Sequence, residues 1–124
     1  GASDLLRTVL GFASLSPELP IISKGNAGIP KFLDGEIHYD GTPELMSEYA
    51  ILARDSGAKI IGGCCGTTPD HLKAMKFALE TRSTSAKPSL TKIVTELGAF
   101  SSGSDGIDET GISLRRRGRR RLKT

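Results

Sequence analysis

The chain contains two short apolar segments that lie between predicted helices, and this pattern limits the folds available to it. Residues 21–23 (Ile-Ile-Ser) and 59–61 (Lys-Ile-Ile) are each too short for anything but a small strand. Short apolar strands alternating with helices are typical of a buried parallel sheet. Two parallel strands do not make a self-sufficient sheet, so we expect neighbouring strands that these residues do not supply.

Three helices are predicted around the two strands. The first covers residues 3–14 with Ser3 as its N-cap, and the second begins at Thr42-Pro43 and stops at Gly57. The third runs from Pro69 to about Thr81. Their predicted buried faces consist of Leu5, Leu6, Val9, Leu10 and Ala13, then Leu45, Met46, Tyr49, Ala50 and Ala53, then Leu72, Met75, Ala78 and Leu79. The alternation predicts an α/β fold, and fits the C-terminal portion of a (β/α)8 TIM barrel, about the last two strands with their flanking helices.

The only two cysteines, Cys64 and Cys65, are adjacent and follow the second strand. They are predicted to lie where a parallel strand ends and a helix begins, which is where α/β folds place ligands. Thiolates there are favoured by a helix N-terminus and suit zinc. Buried thiols, a strained vicinal disulfide and a structural zinc site remain as alternatives, although paired ligands of structural zinc normally have a spacer.

A catalytic zinc needs three protein ligands, so the cysteine pair leaves one ligand to be found. The only histidines are His38, which we place in a loop, and His71, which we place in the first turn of a helix. Both positions are more typical of surface residues than of metal ligands. The residues alone therefore supply two good ligands and no convincing third.

Charge is divided unevenly along the chain, which predicts two regions. Residues 1–82 carry eight basic and ten acidic side chains, whereas residues 83–124 carry nine and four. We interpret 1–82 as part of a barrel domain and 83–124 as a low-complexity basic tail that is largely disordered, in which residues 90–97 are expected to form a brief helix or strand. The arginine run at 115–121 has no interleaved aromatic residue, which argues against specific nucleic-acid binding.

Apolar stretches of only a few residues give no sign of a signal peptide or membrane-spanning helix. Two adjacent cysteines do not form the disulfide framework of a secreted protein, so we expect a reducing cytoplasm and no membrane partner. The chain starts without methionine and enters a helix almost at once. We interpret it as cut from something longer.

Two motifs resemble a known family. Residues 62–71, Gly-Gly-Cys-Cys-Gly-Thr-Thr-Pro-Asp-His, resemble the signature of the zinc-dependent homocysteine S-methyltransferases. Residues 24–30, Lys-Gly-Asn-Ala-Gly-Ile-Pro, are similar to the Asn-Ala-Gly-leucine-Pro loop after the seventh barrel strand of that family. The resemblance covers about residues 1–82, and the chain looks closest to betaine–homocysteine methyltransferase-like enzymes.

The resemblance implies a (β/α)8 barrel in which three cysteines hold zinc. Cys64 and Cys65 match two of them, and the third, which follows the sixth strand, is expected upstream of this chain. The resemblance also implies that Asn26, Ala27 and Gly28 form the floor of the substrate pocket, and we expect Tyr39 near its mouth. The implied partners are homocysteine and a small methyl donor, and a homo-oligomer is compatible with this assignment.

In the implied reaction, the zinc-activated homocysteine thiolate takes a methyl group to give methionine. Betaine, S-methylmethionine and a methylated folate or corrinoid are the candidate donors. We expect the isolated chain to be poorly folded and inactive. Two other functions stay open: a noncatalytic zinc or thiol module completed by His38 or His71, and an interaction protein that uses the basic tail on a barrel remnant.

Overall fold

A computed structural model describes residues 1–100. In chain order the elements are α1 (Ala2–Leu15), β1 (Ile22–Gly25), β2 (Lys31–Leu33), β3 (Glu36–His38), α2 (Pro43–Ser56), β4 (Ile60–Gly63), α3 (Pro69–Thr81) and α4 (Leu90–Leu97). The two strands predicted from the sequence, β1 and β4, pair in parallel, with Ile22 opposite Ile60 and Gly25 opposite Gly63. The α/β class and the parallel pairing are therefore confirmed. Both strands extend into the glycines that the sequence assigned to turns.

A short antiparallel hairpin, β2 with β3, lies where only a loop was predicted. Its turn residues, Asp34 and Gly35, have φ values of 50° and 79°, the left-handed backbone that two-residue hairpin turns require. Each strand has only three residues and all six are exposed, so no alternating burial marks them. His38 is the last residue of β3 rather than a loop residue.

The helices cover one face of the β1–β4 sheet. On that face Ser23 is fully buried, and its hydroxyl lies 2.6 Å from the Tyr49 hydroxyl of α2. On the opposite face Ile22 and Ile60 are 60% and 56% exposed. The prediction of a sheet buried on both sides is thus met on one side only within residues 1–100.

Most of the predicted helix caps and buried faces are confirmed. The Thr42 side chain accepts the Leu45 N–H at 3.1 Å, and Gly57 ends α2 in the left-handed conformation at φ 115°. The prediction of Ser3 as the N-cap of α1 is wrong: Gly1 is the cap, and the buried Ser3 hydroxyl donates to the Gly98 carbonyl at 2.6 Å. Leu72, predicted to be buried, is 48% exposed because α3 presents Met75 and Ala78 to the core instead.

Helix α4 lies in the segment assigned to a basic tail from residue 83, at the residues where a brief helix or strand was expected, and it is a helix. The Ser89 side chain caps it by accepting the Lys92 N–H at 3.1 Å. Ile93 is completely buried against the core. In α4, Ile93 and Leu97 are four residues apart and so lie on the same face of the helix. That face packs against the core, so the described part of the segment, residues 83–100, is packed on the domain. The arginine run at 115–121 lies outside the described residues.

Arg54 of α2 fixes the connection between α3 and α4. Its guanidinium donates to the carbonyls of Arg82 at 2.7 Å and Ser83 at 2.8 Å. The neighbouring Asp55 carboxylate accepts the Ser85 N–H at 3.2 Å. These contacts hold the first residues of the predicted linker in place. No helix among the described residues has the length and apolar character needed to cross a bilayer.

Candidate metal and substrate site

The cysteine loop begins where β4 ends and is anchored to the neighbouring strand. The Cys64 N–H donates to the Gly25 carbonyl at 2.9 Å, which continues the parallel pairing by one residue. The Thr67 N–H then donates back to the Cys64 carbonyl at 3.1 Å and closes a tight turn. Gly66, at φ 75°, supplies the left-handed backbone that this turn needs. Both cysteines therefore project from the carboxyl end of the sheet.

The Asn26–Gly28 loop follows β1 and is hydrogen-bonded to both the backbone N–H and the backbone carbonyl of Cys65. The Cys65 N–H donates to Asn26 Oδ1 at 3.1 Å, and the Ala27 N–H donates to the Cys65 carbonyl at 3.0 Å. Gly28 sits at φ 91° so close to Asp40 that a Cβ would lie 2.3 Å from its carboxylate. The structure thus brings the predicted pocket residues and the predicted metal ligands together at one edge of the sheet.

The two sulfur atoms lie close together. Cys64 and Cys65 are free thiols, both exposed, and their Sγ atoms are 3.9 Å apart. Two thiolates on one tetrahedral zinc, each at about 2.3 Å, have their sulfurs about 3.8 Å apart. Their separation therefore fits two thiolate ligands of one zinc ion. Residues 1–100 contain no cluster of three or more His, Cys, Asp or Glu side chains that would complete the site.

His71, one of the two histidines considered as a further ligand, uses both ring nitrogens elsewhere. Its Nδ1 accepts the Thr68 N–H at 3.1 Å, so Nε2 carries the proton and donates to the Gly41 carbonyl at 2.7 Å. It therefore caps α3 and ties that helix to the segment before α2. His38 is exposed in the hairpin, with its Nε2 3.9 Å from the Glu36 carboxylate.

Tyr39, expected near the mouth, lies directly over the cysteine loop. A Cβ on Gly66 would come within 2.3 Å of Tyr39 Cγ, so the ring packs on a position that only glycine can occupy. The pKa of the Tyr39 phenol is raised from 10.0, first by burial, then by the charge of Cys65 and a hydrogen bond with it, and last by Cys64. Tyr39 is thus part of the site.

The hydroxyl of Thr67 is buried in the same loop. Its Oγ1 has no hydrogen-bond partner among the described residues, and a Cβ on Gly63 would lie 2.3 Å from it. A buried hydroxyl normally finds a partner, so this atom is an exception among the described residues. In the sequence, only the position of Thr67 within the motif at residues 62–71 indicated that it belongs to this site.

A cavity of about 340 Å³ lies on the other side of the Asn26–Gly28 loop. Its lining includes Gly28, Lys31 and Asp40, together with the start of α1 and residues 97–99 at the end of α4. Lys31 Nζ and the Asp40 carboxylate form an ion pair at 2.7 Å. The hydrogen bond and charge of Lys31 lower the pKa of Asp40 from 3.8. This ion pair closes the hairpin against the segment that carries Tyr39.

A protein-family model matches a region that includes both the Asn26–Gly28 loop and the cysteine loop. The model of the family described as homocysteine S-methyltransferase matches residues 2–79, more than half of the chain. The chain belongs to the homocysteine S-methyltransferase family. Membership in this family of S-methyltransferases places the protein in the transferase class and confirms the resemblance carried by the two motifs. Helix α4 lies beyond the matched residues.

Proposed function

We propose that this protein transfers a methyl group to the sulfur of homocysteine, with Cys64 and Cys65 as two of three thiolate ligands of a zinc ion. The observation that carries the proposal is the 3.9 Å separation of two exposed sulfurs at the carboxyl end of the sheet. The sequence holds only these two cysteines, so in this proposal the third thiolate comes from outside residues 1–124. When bound, zinc supplies the charge that keeps the homocysteine thiol deprotonated at neutral pH.

The cysteine thiolates have a second task beyond holding the metal. Each carries a negative charge, and these charges keep a sulfur bound beside them electron-rich and nucleophilic. Because a methyl group moves in line between two atoms, the protein has to position donor and acceptor more than it has to supply an acid or base. The rigid anchoring of Cys64 and Cys65 on Gly25, Asn26 and Ala27 serves that positioning.

The Asn26–Gly28 loop is proposed to contact homocysteine. The Oδ1 atom of Asn26 is engaged by Cys65, which leaves the two donors of its side-chain amide for the substrate. Ala27 is fully buried and its N–H is used by Cys65, so its contribution is to fix the loop. Gly28 allows the loop to lie against Asp40, because any side chain at this position would clash with the Asp40 carboxylate.

We further propose that the described residues are the last two strands of a (β/α)8 barrel with their helices. In such a barrel the helices cover the outer face of the strands, and side chains of neighbouring strands fill the inner face. The buried Ser23 on the helix side and the exposed Ile22 and Ile60 on the opposite side agree with that division. The site lies at the carboxyl ends of the strands, as in barrel enzymes.

The methyl donor is proposed to be a small molecule such as betaine, with methionine as the product. S-methylmethionine and a methylated folate or corrinoid are the competing donors, and methionine formation with each of them distinguishes the four.

Homocysteine binding tests the proposal once residues 1–124 are joined to the part that supplies the third thiolate. We expect calorimetry of the zinc-loaded protein to detect homocysteine but not homoserine, in which oxygen replaces the thiol sulfur. Cys64→Ser and Cys65→Ser are expected to abolish that binding, whereas Ser47→Ala, on the side of α2, is the control that keeps it. Equal binding of homoserine would contradict the proposal, and zinc binding without any homocysteine binding would favour the noncatalytic zinc module.

A further inference from the structure

We infer that residues 82–100 form a clamp that holds the first turn of α1, and through it the Asn26–Gly28 loop, in place. Ser3 and Ile93 are the positioning residues of this C-terminal clamp. Helix α4, its central part, lies beyond residues 2–79, which the family model matches. The added helix thereby acquires a task at the candidate site, and the consequence for homocysteine binding rests on the proposed function.

The C-terminal clamp begins at the end of α2. There the Arg54 guanidinium donates to the Arg82 carbonyl at 2.7 Å and to the Ser83 carbonyl at 2.8 Å. This end of α2 lies at the amino edge of the β1–β4 sheet, because the Lys59 N–H, just before β4, donates to the Ile21 carbonyl at 2.9 Å. The clamp therefore starts at the edge of the sheet opposite to the cysteines.

The other end of the clamp lies on the first two turns of α1. The carbonyl of Gly98, the C-cap of α4, accepts the hydroxyl of the buried Ser3 at 2.6 Å. One turn further along α1, the Arg7 guanidinium lies 4.2 Å from the centre of the Phe100 ring, which is a cation–π contact. Because Ser3 and Arg7 are four residues apart, both contacts are on the same face of α1. Two points of attachment therefore restrict both the position and the rotation of the start of α1.

Between these two ends, α4 is held by Ile93. Its side chain is completely buried, and α4 contacts both α1 and α2. Leu97, four residues further on, packs against the same core. Truncating a fully buried aliphatic side chain removes its contacts and leaves a cavity. Ile93 is therefore the side chain on which the attachment of α4 depends most.

The first turn of α1 in turn lies against the Asn26–Gly28 loop. A Cβ on Gly1 would lie 3.5 Å from Ile29 Cγ1, which is an ordinary packing distance, and Ile29 directly follows Gly28. Residues 97–99 of the clamp, the start of α1 and Gly28 line the same cavity of about 340 Å³. Because the clamp, the start of α1 and the loop are contiguous, releasing the clamp loosens the loop from its α1 side.

Ile93→Ala tests the inference in the protein that also supplies the third thiolate. Amide hydrogen exchange is expected to accelerate about tenfold or more at Leu5, in the first turn of α1, and at Ala27, whose N–H donates to the cysteine loop. Ile93→Val keeps a branched apolar side chain and should restore slow exchange at both amides. Ser3→Ala, which removes only the hydrogen bond to the Gly98 carbonyl, should accelerate the same amides about fivefold, and it replaces Ile93→Ala if that variant does not fold.

Met75→Ala is the matched control, because it also truncates a buried core side chain, but in α3, which packs on α2. It is expected to accelerate exchange at Leu72, whose N–H donates to the Thr68 carbonyl in α3, rather than at Leu5 and Ala27. A general loss of stability would accelerate all three amides in both variants, so the pattern separates positioning from stability alone.

Homocysteine affinity of the zinc-loaded Ile93→Ala protein, measured by calorimetry, is expected to fall about tenfold, because the loop proposed to contact the substrate is no longer held in place. Unchanged exchange at Leu5 and Ala27 in both Ile93→Ala and Ser3→Ala, or the same pattern in Met75→Ala, would overturn the inference and leave the proposed function standing. Faster exchange at these amides with unchanged homocysteine affinity would support the clamp and contradict the substrate role proposed for the Asn26–Gly28 loop.

Discussion

Asn26 and Cys65 are joined by a hydrogen bond across two loops, with the Cys65 N–H donating to Asn26 Oδ1 at 3.1 Å. The two residues are 39 positions apart in the sequence. They meet because β1 and β4 are parallel and in register, so that Gly25 and Gly63 end the strands side by side. The loop proposed to contact substrate and the loop proposed to hold metal are consequently one structural unit.

Asn26→Ala is predicted to lower both the stability of the chain and its affinity for zinc. The Cys65 N–H loses its acceptor, and we expect the free energy of unfolding to drop by about 0.5–1.5 kcal/mol. Zinc affinity should fall as well, because the Cys65 backbone is less firmly held. Denaturant unfolding of the metal-free chain and zinc competition measure the two effects. Asn26→Asp keeps an oxygen in the accepting position and should retain more stability; if it is as unstable as Asn26→Ala, the hydrogen bond is not the cause.

Gly66→Ala is predicted to destabilise the chain by about 1–3 kcal/mol, through overpacking and positive-φ strain. The new Cβ would meet Tyr39 at 2.3 Å, at a residue with φ 75°. Gly11→Ala is the matched control, because Gly11 lies in α1 with nothing within 4 Å of a Cβ. In a helix that change stabilises by about 0.5–1 kcal/mol. Thermal unfolding should therefore show shifts of opposite sign, and equal shifts would contradict the described packing of Tyr39.

His71→Ala is predicted to loosen the start of α3. The contacts of both ring nitrogens are lost: Nδ1 lies 3.1 Å from Thr68 N and 2.7 Å from Thr68 Oγ1, and Nε2 lies 2.7 Å from the Gly41 carbonyl oxygen. At about 0.5–1.5 kcal/mol for each nitrogen, the expected loss of stability is about 1–3 kcal/mol. Amide hydrogen exchange at Thr68 should accelerate. His71→Gln can still reach back to the Thr68 N–H, as glutamine does in a capping box, and should slow that exchange again. Unchanged exchange in His71→Ala would argue against the cap.

Tyr49→Phe is predicted to change the dependence of stability on alkaline pH. Burial raises the pKa of the Tyr49 phenol from 10.0, against the opposing hydrogen bonds with Ser23 and Gly25. The folded state therefore holds the proton more tightly, and stability is lost as pH rises from the ordinary pKa through the raised one. Tyr49→Phe should be less stable at pH 7, because Ser23 loses its partner, but should lose less on going to high pH. Parallel stability curves for the two proteins would refute this.

The meeting of the two candidate-site loops could be predicted from the sequence because its signals are local. A short apolar strand, glycines, two cysteines and Thr68-Pro69 mark a strand end and a helix start within a dozen residues. The parallel pairing then places the loop after β1 beside the loop after β4, as the structure confirms. The adjacency of Asn26 and Cys65 follows from that pairing alone.

Other features depend on tertiary contacts that no local pattern reports. The β2–β3 hairpin has no buried face. For residues 90–97 the sequence left helix and strand open, and the helix that forms packs on the core through one fully buried side chain, Ile93. Serine is a residue type that often caps helices, but the Ser3 hydroxyl donates to the Gly98 carbonyl instead. The role of His71 had a detectable signal, since it stands three residues after Thr68, the position of the reciprocal partner in a capping box.

X-ray absorption at the zinc edge tests the central claim most directly. We predict that the zinc-loaded chain shows sulfur neighbours at about 2.3 Å, the distance expected for thiolate ligands. Cys64→Ser and Cys65→Ser should each remove one sulfur from that shell, and the double variant should remove the signal from both. A metal shell made only of nitrogen and oxygen, or a sulfur signal that survives the double substitution, would contradict the assignment of these cysteines as zinc ligands.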